Sequence, residues 1–296
     1  MRIDLLAGTM YALRNMVPRA PTILVFDSGL GGLTVLAEVR KARPDARFVY
    51  AADDAGFPYG RLDEQTLVAR VMAVMERLIA QHAPDLVVIA CNTASTLVLP
   101  HLRQRFPMPF VGTVPAIKPA AGLSRSKRVS VLATPGTVAR DYTRGLIEAY
   151  AGDCRVTLVG SRRLAALAEA ELGGIPAADA DIRAEIEPCF VADAEGRTDV
   201  VVLACTHYPL LLPRLERLAP WPVTWVDPAP AIARRVVQLL GETPSGRTAR
   251  NGSLAVFTDG AAVAPGLRGA LAERGLATIA SEPMPLAGAG ALTFQA

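Results

Sequence analysis

DVVVLACTHYPLLLP at residues 199–213 follows the same plan as an earlier stretch, DLVVIACNTASTLVLP at residues 85–100. Each opens on an Asp, runs through a short block of mostly β-branched apolar residues, reaches Ala-Cys, and passes through polar residues into an apolar, helix-forming run. Unbroken apolar blocks of this length suit strands buried on both faces, as in a parallel sheet. Cys91 and Cys205 therefore hold equivalent places. A second echo supports the repeat: ILVFDSG at 23–29 matches VSVLATPG at 129–136, with Asp27 opposite Thr134 and Gly29 opposite Gly136. The chain reads as two related α/β halves. Each presents one thiol at the carboxyl end of a strand, where open α/β sheets place their ligands.

The bulk composition agrees. At 296 residues, with 51% apolar and 20% charged side chains, the chain is long enough for two cores and too apolar for disorder. The net charge of +3 is spread out, and the one dense basic cluster, Arg125-Ser126-Lys127-Arg128, is too short to argue for nucleic acid. No run of about twenty apolar residues exists to span a membrane. Residues 1–19, interrupted by Asp4 and Arg14, read as an extension ahead of the first strand and not as a secretory signal. The four cysteines, at 91, 154, 189 and 205, show no C-x-x-C spacing, so reduced thiols and a cytoplasmic location are expected.

Taken in order, a strand at 22–26 ends in Asp27-Ser28-Gly29-Leu30-Gly31-Gly32 and enters a helix that stops before Pro44. Free backbone N–H groups at such a turn suit an anion. Thr34 stands where a dinucleotide fingerprint would have its third glycine, so a carboxylate fits better than a nucleotide phosphate. A strand at 48–52 leads to the turn Asp53-Asp54-Ala55-Gly56-Phe57-Pro58-Tyr59-Gly60, predicted to hold the Tyr59 hydroxyl over the sheet edge. A helix at 62–82 faces the sheet with Leu67, Val71, Met75 and Leu78. The strand at 86–90 delivers Cys91, with Asn92 and Thr93 opening the next helix, and a strand at 110–113 ends the first half. The second half has strands at 129–133 and 155–159, helices at 138–150, 163–172 and 178–191, and the strand bearing Cys205. A strand at 223–226 is expected to return to the first half, followed by a helix at 229–240 and strands near Leu254 and Ala277.

A lone cysteine at a strand end is usually a packing residue, and Cys154 and Cys189 are read so. Two at the same repeat position, each with polar neighbours, point to chemistry. Cys205 is followed by Thr206 and His207; Cys91 is followed by Asn92 and Thr93, with Asp27 on the adjacent strand. If one thiolate removes an α-proton from one face of an amino acid and the opposite thiol returns a proton to the other face, the stereocentre inverts. Ionising an ordinary thiol at pH 7 costs about 2 kcal/mol. With only three lysines, at 41, 118 and 127, and no metal-ligand cluster in view, no cofactor is expected, and hydrogen bonds and desolvation must stabilise the carbanion.

VFDSGLGGLTVL at 25–36, FPYG at 57–60, ACNTAS at 90–95, LATPGTV at 132–138 and ACTHYPLL at 204–211 resemble the glutamate racemases of the aspartate/glutamate racemase superfamily. The resemblance implies an α/β fold of two flavodoxin-like parallel-sheet domains related by pseudo-two-fold symmetry, with the active site in the cleft between them. The expected division is 20–113 with 224–296, and 114–223. It implies a cofactor-independent enzyme that makes D-glutamate for peptidoglycan. Cys91 would deprotonate D-glutamate with Asp27 assisting, and Cys205 would deprotonate L-glutamate with His207 assisting and Glu169 supporting it. Substrate contacts would fall on Ser28, Tyr59, Gly60, Asn92, Thr93, Thr134, Thr137 and Thr206. The chain departs from the family in having Ser161-Arg162 where Cys-Pro is usual ahead of Glu169. His207 favours glutamate over aspartate, since aspartate racemases tend to carry an acidic residue there. The implied partner is a small-molecule substrate, with neither nucleic acid nor membrane, and a homodimer is left open. The alternatives are a racemase of another acidic amino acid, such as aspartate, and a non-catalytic α/β protein that binds a small ligand.

Overall fold

The computed structural model describes residues 20–243, 252–261 and 263–284; the extension at 1–19 lies outside them. Its strands, in chain order, are β1 (Thr22–Asp27), β2 (Arg47–Ala52), β3 (Leu86–Ile89), β4 (Phe110–Gly112), β5 (Arg128–Ala133), β6 (Arg155–Gly160), β7 (Ala192–Asp193), β8 (Gly196–Arg197), β9 (Val200–Ala204), β10 (Thr224–Val226), β11 (Leu254–Phe257) and β12 (Thr278–Ser281). The strands pair into two wholly parallel sheets, β12-β11-β2-β1-β3-β4 and β10-β9-β5-β6, and the short antiparallel hairpin β7-β8 stands apart.

The internal repeat is visible in the pairing. From β2, the first sheet runs β2-β1-β3-β4; from β6, the second runs β6-β5-β9-β10, the same order of first appearance. β11 and β12 extend the first sheet on its β2 side. Strands buried on both faces need helices on both sides. The first sheet has Leu33, Leu36 and Val39 of the helix Leu33–Ala42 in one core, and Leu67, Val71 and Met75 of the helix Glu64–His82 in the other.

One expectation fails. Thr224–Val226 was expected in the first half, but it pairs with Val200–Val202 and completes the second sheet. The reason is the repeat: β10 is the counterpart of β4, and FVGTVPAI at 110–117 is echoed by WVDPAPAI at 225–232. The chain re-enters the first half after Val226, when Ile232, Ala233 and Val236 of the helix Ala229–Leu240 join the core beside Leu33 and Leu36. The helix expected at 138–150 is also divided, into Pro135–Val138 and Asp141–Tyr150. Thr134 caps the first piece, its hydroxyl accepting from Thr137 N at 3.2 Å. The tail holds a helix not foreseen, Pro265–Glu273, between β11 and β12.

Candidate active site

In a doubly wound sheet, the crevice opens where the strand order reverses, between the carboxyl ends of two neighbouring strands. In the first sheet these are β1 and β3; in the second they are β5 and β9. Phe26 is level with Ile89, so Asp27 ends its strand one residue short of the level of Cys91. Ala133 is level with Ala204, which puts Thr134 beside Cys205. Parallel register alone thus delivers Asp27, Cys91, Thr134 and Cys205 to the two switch points.

The two thiols have unlike neighbours. Cys91 is the N-cap residue of the helix Asn92–Arg105, its Sγ lies 3.7 Å from Ser28 Oγ, and the Ala94 N–H faces it. Burial pushes the Cys91 thiol far above its ordinary range and the negative charge of Asp27 adds to this, against the Ala94 N–H and Ser28. Cys205 Sγ lies 3.6 Å from His207 Nδ1, and His207 Nε2 lies 2.8 Å from Glu169 Oε1. Burial disfavours a charge on His207, but the hydrogen bonds to Cys205 and Glu169 outweigh it and raise the imidazole pKa well above its usual value. A carboxylate on one ring nitrogen fixes the tautomer and orientation presented to the sulfur on the other. Asp27 is wholly buried, and burial raises its pKa although the His207 charge opposes this.

The halves meet at the glycine turn. A Cβ on Gly29 would stand 2.0 Å from Glu169 Oε1, and one on Gly31 would stand 2.5 Å from His207 Nδ1 and 2.6 Å from His207 N. The absence of side chains there lets His207 and Glu169 of the second half sit on the first half's backbone. Leu30 N donates to Glu169 Oε1 at 2.6 Å, and Thr34 Oγ1 donates to Thr206 O at 3.2 Å. Thr206 Oγ1 reaches Asp27 at 3.3 Å, and Gly32 N reaches it at 2.9 Å. Across the crevice, Thr93 Oγ1 lies 3.0 Å from Thr134 Oγ1 and 3.2 Å from Thr137 Oγ1, and the last two lie 3.1 Å apart.

The structure therefore brings Cys91, Cys205, Asp27, His207 and Glu169 together with Ser28, Asn92, Thr93, Thr134, Thr137 and Thr206. Asn92 is buried, and both atoms of its amide have no hydrogen-bond partner among the described residues. Such a group is costly unless a ligand satisfies it. Gly60 lies against Thr134. Tyr59 is the exception: its hydroxyl does not stand over the sheet edge but donates to the buried carboxylate of Asp53, so only its backbone is left for a ligand. Asp27 has its direct hydrogen bonds with Gly32 and Thr206, and acts on Cys91 through its charge. Where the family has Cys-Pro, Ser161 Oγ accepts from Leu164 N at 3.1 Å and donates to Glu185 at 2.6 Å, which anchors the start of the helix Leu164–Leu172 that carries Glu169. Phe57, whose ring centroid is 5.4 Å from that of His207, was not foreseen; an aromatic inside a Gly/Pro-rich turn was the available signal.

A profile of the Asp/Glu/Hydantoin racemase family matches residues 34–236. The chain belongs to this family. Within it, the chain is 58% identical over 235 residues to a glutamate racemase of Brucella canis, covering 79% of this chain and 84% of that one. It is 60% identical over 219 residues to a glutamate racemase of Brucella anthropi, covering 74% and 79%. Among solved structures, it superimposes with a TM-score of 0.81 on Escherichia coli glutamate racemase in complex with L-glutamate and the activator UDP-MurNAc-Ala, at 41% identity over 90% of this chain and 99% of that one. Both sheets and the racemase family's α/β architecture agree with that likeness.

Proposed function

We propose that this chain interconverts L- and D-glutamate by proton transfer between two thiols, supplying D-glutamate for peptidoglycan in the cytoplasm. The observation that carries the reading is the pair Cys91 and Cys205 at repeat-equivalent strand ends, each with its own polar helpers, in a chain similar to glutamate racemases. The units would be 20–113 with 227–284, and 114–226, with the substrate between them. In this mechanism the Cys205 thiolate takes the α-proton of L-glutamate, and the electron pair stays on the α-carbon and its carboxylate. The Cys91 thiol then delivers a proton to the opposite face. The reverse course uses Cys91 as base. His207, held by Glu169, stabilises the Cys205 thiolate as a cation. The substrate's ammonium group would bring a positive charge beside Asp27 and Cys91 and so offset the burial that holds the Cys91 thiol protonated. The Asn92 amide and the hydroxyls of Ser28, Thr93, Thr134, Thr137 and Thr206 would orient the carboxylates. The backbone of Tyr59 and Gly60 would close the wall. No cofactor enters the scheme.

The test is the circular dichroism of L-glutamate, D-glutamate and L-aspartate incubated with the pure protein under reducing conditions. Decay of both glutamate signals to zero, with L-aspartate unchanged, is expected. Constant signals from both glutamate enantiomers would refute the reading. That two copies act as a homodimer belongs to the same proposal and is checked by light scattering.

A second cavity, of about 600 Å³, lies between the segment joining the two halves and the start of the helix Ala229–Leu240. Arg103, Lys118, Arg234 and Arg235 line it with Tyr142 and Tyr150, against a single carboxylate, Asp227. Because the similar E. coli protein is described with a nucleotide-linked activator, we assign this cationic cavity to an anionic effector of that class. Racemisation should rise with added UDP-MurNAc-Ala, and Lys118→Glu should abolish the rise.

A further inference from the structure

Asp53, directly after β2, is completely buried, and both oxygens of its carboxylate are engaged. Oδ1 accepts from Thr258 Oγ1 at 2.6 Å and from Arg70 Nη2; Oδ2 accepts from Arg70 Nε at 2.9 Å and from the Tyr59 hydroxyl. Arg70 lies on the apolar face of the helix Glu64–His82, among Leu67, Val71 and Val74, with its side chain 7% exposed. A buried ion pair recovers its desolvation cost only when every polar atom is satisfied, and apolar residues of the same volume often stabilise a core as well or better. A charge pair here therefore calls for a role beyond stability.

That role lies in the turn it holds. Tyr59 ties residues 53–61 to the carboxylate, and a Cβ on Gly56 would come within 2.8 Å of both Asp53 Oδ2 and Tyr59 Cε1, so the turn packs onto this hub with no slack. The same turn carries Phe57, whose ring packs against that of His207, and Gly60, which lies against Thr134. The turn is thus a wall of the crevice that touches both ends of the second half's contribution. We propose that Asp53, with Arg70 and Thr258, is a positioning group for the reaction: it touches neither thiol nor substrate, and holds Phe57 against His207 and Gly60 beside Thr134.

The inference rests on the glutamate reading, and its test separates the two. Tyr59→Phe and Thr258→Val each delete one hydroxyl and leave the Asp53–Arg70 pair intact; Ser130→Ala, which deletes the buried hydrogen bond to Cys189 O in the second sheet, is the control of similar structural cost. In the full chain, Tyr59→Phe should raise KM for both enantiomers about tenfold, equivalent to one buried hydrogen bond, while kcat falls less than about threefold. Alkylation of Cys205 by iodoacetamide without glutamate, followed by mass spectrometry, should quicken several-fold in both hub variants as the wall loosens. Ser130→Ala should leave KM and alkylation as in the wild type. Wild-type KM and alkylation in both hub variants would overturn the proposal, as would equal changes in the control. If the wild type racemises no glutamate, the glutamate reading fails, and the alkylation rates by themselves decide the positioning role.

Discussion

Leu30 of the first half donates its backbone N–H to Glu169 of the second at 2.6 Å, on the same oxygen that faces His207 Nε2. One carboxylate oxygen thus joins the halves and supports the imidazole beside Cys205. The contact between the halves and the partner of the imidazole are therefore the same atom.

Glu169→Gln separates these two tasks, since the amide oxygen still accepts from Leu30 N but carries no charge. The His207 pKa, now raised well above its ordinary value, should drop. Its charged form would then be lost at lower pH, visible as an earlier titration among the three histidine ring signals in NMR. kcat/KM should fall about tenfold or more. A racemisation has an equilibrium constant of one, so the fall in kcat/KM is equal in both directions; the α-deuterium isotope effect on that ratio can differ, and it should grow more for L-glutamate. An unmoved titration would refute the support role.

Cys91→Ser and Cys205→Ser should each abolish racemisation, because a hydroxyl is far too weak an acid to supply the base near neutral pH. Each variant keeps one thiol. Slow exchange of the α-proton in deuterated water, without inversion, should survive for the enantiomer that faces it. Full activity in either variant would rule out the two-thiol mechanism.

Gly31→Ala puts a methyl group where His207 N and Thr206 Oγ1 each stand 2.6 Å away, and the former is backbone that cannot swing aside. The halves must separate by a fraction of an ångström. Misplacement by about 1 Å can cost about a hundredfold in rate, so a shift of part of that distance should lower kcat/KM about tenfold or more while the far-UV spectrum stays native. Activity within threefold of the wild type would show that the turn is not the contact that sets the geometry.

Asp27→Asn should stabilise the fold while impairing catalysis. Burial raises the folded-state pKa of Asp27 above the ordinary 3.8, so between the unfolded and folded values the native state holds a proton that the unfolded chain has released. Its contribution to stability therefore falls as pH climbs from 3.8 toward the folded value, and stays reduced above it. Asn carries no such cost. The melting temperature at neutral pH should rise, and the decline of stability above pH 4 should flatten. A lower melting temperature would mean that the attraction between Asp27 and His207 outweighs the burial.

Much of this was legible in the residues. The repeated Ala-Cys strand ends and the glycine turn follow from short apolar blocks and local backbone preferences, which neighbouring residues decide. These placed Cys91, Cys205 and Asp27 at strand ends with His207 two residues beyond Cys205, and the family resemblance added Glu169. Three matters were decided only by tertiary structure. β10 joined the second sheet as the counterpart of β4; a three-residue strand carries too little pattern by itself to name its neighbour, and the echo of 110–117 in 225–232 gains its meaning only beside the observed pairing. Tyr59 turned from the crevice because Asp53 and Arg70, adjacent in space but 17 residues apart in the chain, form a buried charged hub that accepts its hydroxyl. The bond from Leu30 to Glu169 spans 139 residues, and nothing local to either residue encodes it. Local sequence determines what each segment offers, whereas hydrogen bonds across the interface of two halves exist only once both cores have formed and brought their edges together.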